Sequence, residues 1–260
     1  MRLEPVLATV FAILSLVAAP GCQSSGDDPT PATDPSSVTP AVAGAGNPAY
    51  LIGEFRYLAD AARFAICRTG RSYPVAMEGA YRDLESAYLA AEKPEAGAPV
   101  VVSIVGEVLP RPAMEGDAEA PTVVVRRLVG VWPSMACERA RADARLVDQY
   151  WRIVSLAGTP VTTAPDRREP HLILSSENDA WRATVGCNQL RGRYAVNGDE
   201  LAFDPGLATR MACPPPLDAW EADLQRVLAD TRRWAVHAHV LELFGADGRP
   251  LAVFEAVALP

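Results

Sequence analysis

Apolar and polar positions change character several times along the chain. Arg2 precedes an apolar run from Val6 to Ala19 that breaks at Pro20-Gly21-Cys22, and residues 23–48 then hold Ser, Pro, Thr, Gly, Asp and Ala with only isolated valines. The apolar run is too short to span a bilayer. The polar stretch carries too little apolar surface to offset the entropy of ordering, which predicts a flexible tether over 22–48. Beyond it, β-branched and aromatic runs predict strands at 52–58, 63–67, 100–109 and 122–132, the last two rich in valine. Tyr81, Leu84, Tyr88 and Ala91 recur at three- and four-residue spacing before Lys93-Pro94, so one helix lies between them. Several short strands with a single helix suit a small, partly open barrel of OB type over 49–145.

A second folded segment follows at 150–258. Its predicted strands are 150–156, 170–175, 180–185, 193–196 and 200–203, the last two joined at Asn197-Gly198-Asp199, where Asn-Gly supplies the positive φ of a tight hairpin. Pro214-Pro215-Pro216 stops extended pairing. Asp218 and Glu221 then read as a capping box, and Leu217, Trp220, Leu224, Val227 and Leu228 form one apolar face of a helix over 218–230. Two closing strands, a bent one at 234–244 and one at 251–257, turn at Ala246-Asp247-Gly248. The expected class is α+β and β-rich: an OB-like barrel, then an antiparallel sheet covered by one helix.

Composition narrows the chemistry. At 260 residues and 49% hydrophobic content the chain has room for two domains, and a net charge of -8 without a basic, aromatic-laced stripe argues against nucleic acid as a partner. The clusters Arg126-Arg127, 139–145 and Arg232-Arg233 read as solvated faces, with weak contact to anionic headgroups as the minor alternative.

The order of charge, apolar run and small-residue break ending on Cys22 resembles a bacterial lipoprotein signal over 1–21. That resemblance implies a lipid on Cys22, and two or more acyl chains at about 0.8 kcal/mol per buried methylene make membrane anchoring effectively permanent. Gln23 in the next position implies the outer membrane, facing the periplasm; an ordinary secretory signal with an incidental Cys22 is the alternative. With Cys22 acylated, four cysteines remain, and three pairings are open to them. Cys67 with Cys137 and Cys187 with Cys213 is the pairing that keeps two independent cores, in the oxidising compartment that an exported chain reaches. Metal ligation competes with this reading, but no C-x-x-C occurs and neither pair has a His at zinc-site spacing.

The phrase Gly53-Glu54-Phe55-Arg56-Tyr57-Leu58-Ala59-Asp60-Ala61-Ala62, with Phe64, Cys67, Thr69-Gly70, Pro74-Val75-Ala76, Gly106 and Cys137, resembles the OB-type domain of the NlpE family of envelope lipoproteins. That family is linked to copper tolerance and envelope-stress sensing. Its copper association belongs to a C-x-x-C that this sequence lacks, so copper does not carry over. Trp151, Gly186-Cys187-Asn188, Gly192, Tyr194, Leu201, Thr209-Arg210-Met211-Ala212-Cys213, Glu221 and Leu228, in that order, resemble the META domain typified by HslJ. The family motif residues are thus Gly186, Asn188, Gly192, Tyr194, Thr209 and Met211, and what they imply is fold and compartment. Read physically, Gly186 and Asn188 suit a turn needing unusual backbone angles, and Met211 suits core filling.

Candidate chemistry is sparse. Of His171, His237 and His239, the latter two would share one face of an extended strand, a spacing at which a copper or zinc site can begin, yet no third ligand is evident. No G-x-S-x-G, H-E-x-x-H, P-loop or dinucleotide fingerprint is present. The expectation is a membrane-anchored, non-catalytic binding or scaffold module of the cell envelope, without catalytic residues, cofactor or metal, whose partner is an envelope protein or the cell wall. A periplasmic metal-binding protein, and a hydrolase or hydrolase inhibitor with His171 as base, are the rivals.

Overall fold

In the computed structural model, residues 48–113, 118–140 and 142–257 are described; the signal, Cys22 and the tether lie outside them. The first domain runs β1 (Ala49–Leu58), β2 (Ala61–Ile66), β3 (Ser72–Pro74), α1 (Tyr81–Ala90), β4 (Val100–Pro112), β5 (Glu119–Trp132) and a 3-10 turn (Cys137–Ala140). Its sheet order is β3-β2-β1-β4-β5, and a parallel bridge from Val75 to Val123 brings the two edges together into the expected partly open barrel. A two-residue turn at Ala59-Asp60, both with positive φ, closes the first hairpin. Phe55, Phe64, Ile104 and Val123 pack against Tyr81, Leu84 and Tyr88 of α1. The Tyr88 hydroxyl donates to Ala98 O at 2.8 Å, and the Lys93 ammonium donates to the helix-end carbonyls of Tyr88, Leu89 and Ala91. Lys93 therefore ends the helix by hydrogen bonding as well as by position.

The second domain runs β6 (Tyr150–Leu156), β7 (Thr159–Pro160), β8 (His171–Ser175), β9 (Ala180–Thr184), β10 (Leu190–Asn197), β11 (Glu200–Phe203), β12 (Leu207–Ala208), α2 (Leu217–Asp230), β13 (Arg233–His237), β14 (Val240–Phe244) and β15 (Pro250–Val257). Here the sheet goes further than expected. The order β11-β13-β14-β15-β6-β8-β9-β10 is completed by a β10–β11 pairing, so eight antiparallel strands close into a barrel, with β7 and β12 appended. Closure removes both edges, and α2 adds Leu224, Val227 and Leu228 to a core built on Trp151, Leu156, Leu172, Leu174 and Phe254.

Two local expectations are corrected. The segment 234–244 is not one bent strand but a hairpin, turned at Ala238 with φ 54°; a Val-His-Ala-His-Val stretch carries no Gly or Asn to announce it. The capping box does not form. Helix α2 begins a residue earlier with Pro216 as its N-cap, and Glu221 turns toward Asn188 and Gln225 instead.

Strand β4 explains its own valines. Val100, Val102 and Ile104 face the first core, whereas Val101 packs with Val129, Trp132, Val240 and Val253 in a separate cluster. A strand buried on both faces reads as a continuous apolar run. Its second cover is the outer face of β14 and β15, so the two domains meet sheet on sheet. Between their folded parts, residues 142–148 are tied to the turn after β13: Asp143 Oδ1 accepts from Ala238 N and Ala144 N donates to Ala238 O, both at 2.6 Å.

Candidate functional site

Three places gather polar or reactive side chains. The first is the interface. Arg127 of β5 donates to Glu242 of β14 from Nη1 at 2.8 Å and from Nη2 at 3.4 Å, and Glu242 is 1% exposed. Trp132 Nε1 donates to the buried Ser103 hydroxyl. His237, the last residue of β13, stacks on Tyr50 at 4.0 Å between centroids, while His239, within the turn, meets Trp132 edge to face at 5.1 Å. His239 lies in the turn and not on a strand with His237, so the two do not share the face of one extended strand. Neither ring nitrogen of His239 has a hydrogen-bond partner among the described residues. Burial, aided by the Arg139 charge, pushes His239 down to about 4; burial also lowers His237, against the opposing pull of Glu242 and Asp143.

The second place is the corner holding the family motif. Gly186 adopts φ +103°, and a Cβ there would sit 2.9 Å from Arg168 O, so this position needs glycine. Cys187 bonds Cys213, and Cys67 bonds Cys137, as the within-domain pairing requires. Asn188 is not the left-handed residue expected but a buried hydrogen-bond hub. Its Oδ1 accepts from Met211 N and Thr209 Oγ1, both at 2.8 Å, and its Nδ2 donates to Met211 O and Glu221 Oε1, both at 3.2 Å. Met211 fills no core: its side chain is 57% exposed, and its peptide group is what the motif uses. Tyr194 is buried with its hydroxyl on Ser175 O, and Gly192 leaves room for the Trp181 indole, which a Cβ would meet at 2.8 Å. Cys187, Cys213 and Glu221 place potential ligand atoms within 4.8 Å of one another, but the two sulfurs are bonded to each other and offer no thiolate.

The third place was not legible in sequence. A cavity of about 360 Å³ opens between β9, β10, the 203–208 segment and α2, lined by Trp181, Leu190, Phe203, Leu207, Leu228 and neighbours. Trp181 and Phe203 meet edge to face at 5.8 Å, and the indole N–H is spent on Arg193 O at 3.1 Å. Asp204 is the one titratable side chain in the lining, which contains no Ser, Cys, His or Lys. His171, the base of the hydrolase reading, lies elsewhere: it stacks on Tyr150, its Nδ1 contacts Glu169 O, and burial lowers its pKa.

These features define a class: two disulfide-stapled antiparallel barrels, one partly open and one closed, packed through a shared layer. The family models then give the domains their identity. The NlpE C-terminal OB domain matches residues 45–138 and the META domain matches 144–258, so the chain carries one of each, in that order. Among solved structures, a protein from Burkholderia xenovorans determined by NMR is 24% identical over 44% of this chain and 85% of that one, with a TM-score of 0.38. The Cpx pathway activator NlpE from Escherichia coli is 30% identical over 35% of this chain and 45% of that one, with a TM-score of 0.31. A further NMR structure is 22% identical over 42% of this chain and 90% of that one, with a TM-score of 0.36. No curated protein matches the chain. The two domains suggest a module of an envelope-stress-related lipoprotein. No helix among the described residues is long and apolar enough to cross a membrane.

Proposed function

We propose that this protein is an exported lipoprotein, held on the periplasmic side of the outer membrane through Cys22, whose paired barrels act as a non-catalytic binding module in envelope-stress tolerance. The observation that carries the reading is the docked pair itself. Two domains of envelope families are stapled by Cys67–Cys137 and Cys187–Cys213 and share a buried layer crossed by Arg127 and Glu242. Such a body suits presentation of a fixed surface on a tether. The cavity supports binding over hydrolysis, since its lining offers no nucleophile beside a base. His237 and His239 each pack against an aromatic ring, Tyr50 and Trp132, which favours a structural role for both.

The test is photocrosslinking in intact cells, with the reactive amino acid placed at exposed Leu207 on the cavity rim and, as control, at exposed Leu58 of the first domain. The expected result is one discrete crosslinked envelope component from the rim position that disappears when Cys22→Ser releases the chain from its membrane. A crosslinking pattern that is unchanged by Cys22→Ser, or identical from both positions, contradicts the proposal.

A further inference from the structure

The cavity has a chemistry of its own that selects a class of ligand. Its floor and walls are apolar: Trp181 and Phe203 in edge-to-face contact, with Leu190 and Leu228 beside them. The aromatic wall is held rigidly. A Cβ on Gly192 would meet the indole at 2.8 Å, and one on Gly206 would meet it at 2.7 Å, so backbone closes on both sides of the ring. The volume of about 360 Å³ falls at the lower end of the range that small-molecule sites occupy, and it equals roughly a dozen water volumes.

The one charged side chain of the lining is an acceptor. Asp204 has no ion-pair partner among the described residues. Gln225 donates one amide hydrogen to Glu221 Oε1 at 3.3 Å, which leaves its carbonyl oxygen and its second N–H available. The Trp181 indole N–H is already bonded to Arg193 O. The arginines of β10 do not compensate: Arg191 and Arg193 are exposed and alternate with the buried Leu190 and Tyr194, on the opposite face of the strand. An apolar lining with one unpaired carboxylate complements a ligand with an apolar body and a cationic head.

We infer that this cavity is a binding site for a small amphiphilic amine, its hydrocarbon or aromatic body against Trp181 and its ammonium group on Asp204. A cation near an aromatic wall and a carboxylate gains from both, and a carboxylate ligand of the same shape faces repulsion from Asp204. This rests on reading the chain as a binding module, and it adds the ligand class to that reading.

The experiment uses the whole chain with both disulfides formed and three matched probes: phenethylammonium, neutral phenylethanol and phenylacetate. Binding is followed through the indole resonance of Trp181. The expected result is saturable binding of the amine at least tenfold tighter than of phenylacetate, with phenylethanol between them. Asp204→Asn should bring all three within about twofold. Ala229→Phe, at an exposed position of α2 that lines the cavity, should abolish binding while leaving the fold intact. Equal affinities for amine and carboxylate, an amine titration that does not saturate, or amine binding unaffected by Ala229→Phe would each overturn the inference. Rim crosslinking from Leu207 that persists in such a case would show that the binding module stands and only its ligand class is wrong.

Discussion

Replacing Arg127 with Met removes the partner of a carboxylate that has almost no contact with water. The side chain of Glu242 is 2% exposed and that of Arg127 34%, so the two halves of the pair are not equivalent. Breaking a buried pair by removing one member costs about 3–5 kcal/mol, because the remaining charge stays buried. The Arg127 site is open enough for some water to reach Glu242, which sets the expectation for Arg127→Met near the lower end, at about 3 kcal/mol. Glu242→Leu leaves a half-exposed guanidinium that can hydrate, and its expected cost is about 1 kcal/mol. The double variant, with an apolar pair in the shared layer, should lie within about 1 kcal/mol of the parent or exceed it. The assay is urea unfolding of the oxidised chain, with the four variants compared as a cycle. The coupling between the sites should be on the order of 3–4 kcal/mol. Additive single effects, each below about 0.5 kcal/mol, would mean that Glu242 is solvated and that the domains do not meet there.

Three further outcomes follow from the same contacts. The His239 imidazole is lowered to about 4 in the folded chain from an ordinary 6.5, so it stabilises the fold fully above pH 6.5 and loses that contribution as pH falls toward 4. His239→Phe should flatten that stretch of the stability profile by about 3 kcal/mol, read by urea titrations across the range, and an unchanged slope would contradict the burial. Asn188→Ala strands the Met211 peptide and the Thr209 hydroxyl, so a loss of about 3 kcal/mol is expected in thermal unfolding, whereas Met211→Ala should cost less than about 0.5 kcal/mol. Replacing both cysteines of a bridge with serine should cost about 4.4 kcal/mol for Cys67–Cys137, which spans 70 residues, and about 3.5 kcal/mol for Cys187–Cys213, which spans 26; a reversed order would argue for strain over chain entropy.

The elements that carried strong local signals are where the sequence put them. Strand β6 and strand β11 coincide with their predicted limits, the apolar face of α2 is the one the core uses, and Gly198 supplies the positive φ of its hairpin. What stayed hidden depends on partners distant in the chain. The closure of the second barrel is a pairing of β10 with β11 and of β11 with β13 around a ring, and no periodicity encodes a ring. The valines of β4 marked a strand, but not that its second face packs against another domain. At Ala238 a positive φ occurs on a residue with no turn preference, so the hairpin that separates His237 from His239 left no trace in the pattern. The cavity is equally nonlocal: Trp181, Phe203 and Gln225 come from two strands and a helix. Glu221 did carry a signal, that of a capping box, and the stronger demand of the buried Asn188 amide redirected it.

The claim on which compartment, anchoring and stabilisation all depend is the fate of the five sulfurs. Intact-mass analysis of the chain extracted from membranes of a Gram-negative host, before and after alkylation, reads it directly. The account predicts a chain beginning at acylated Cys22, lighter by four hydrogens for the bridges Cys67–Cys137 and Cys187–Cys213, and inert to alkylation until reduced. An unacylated residue 22, or four thiols that alkylate without reduction, would contradict it.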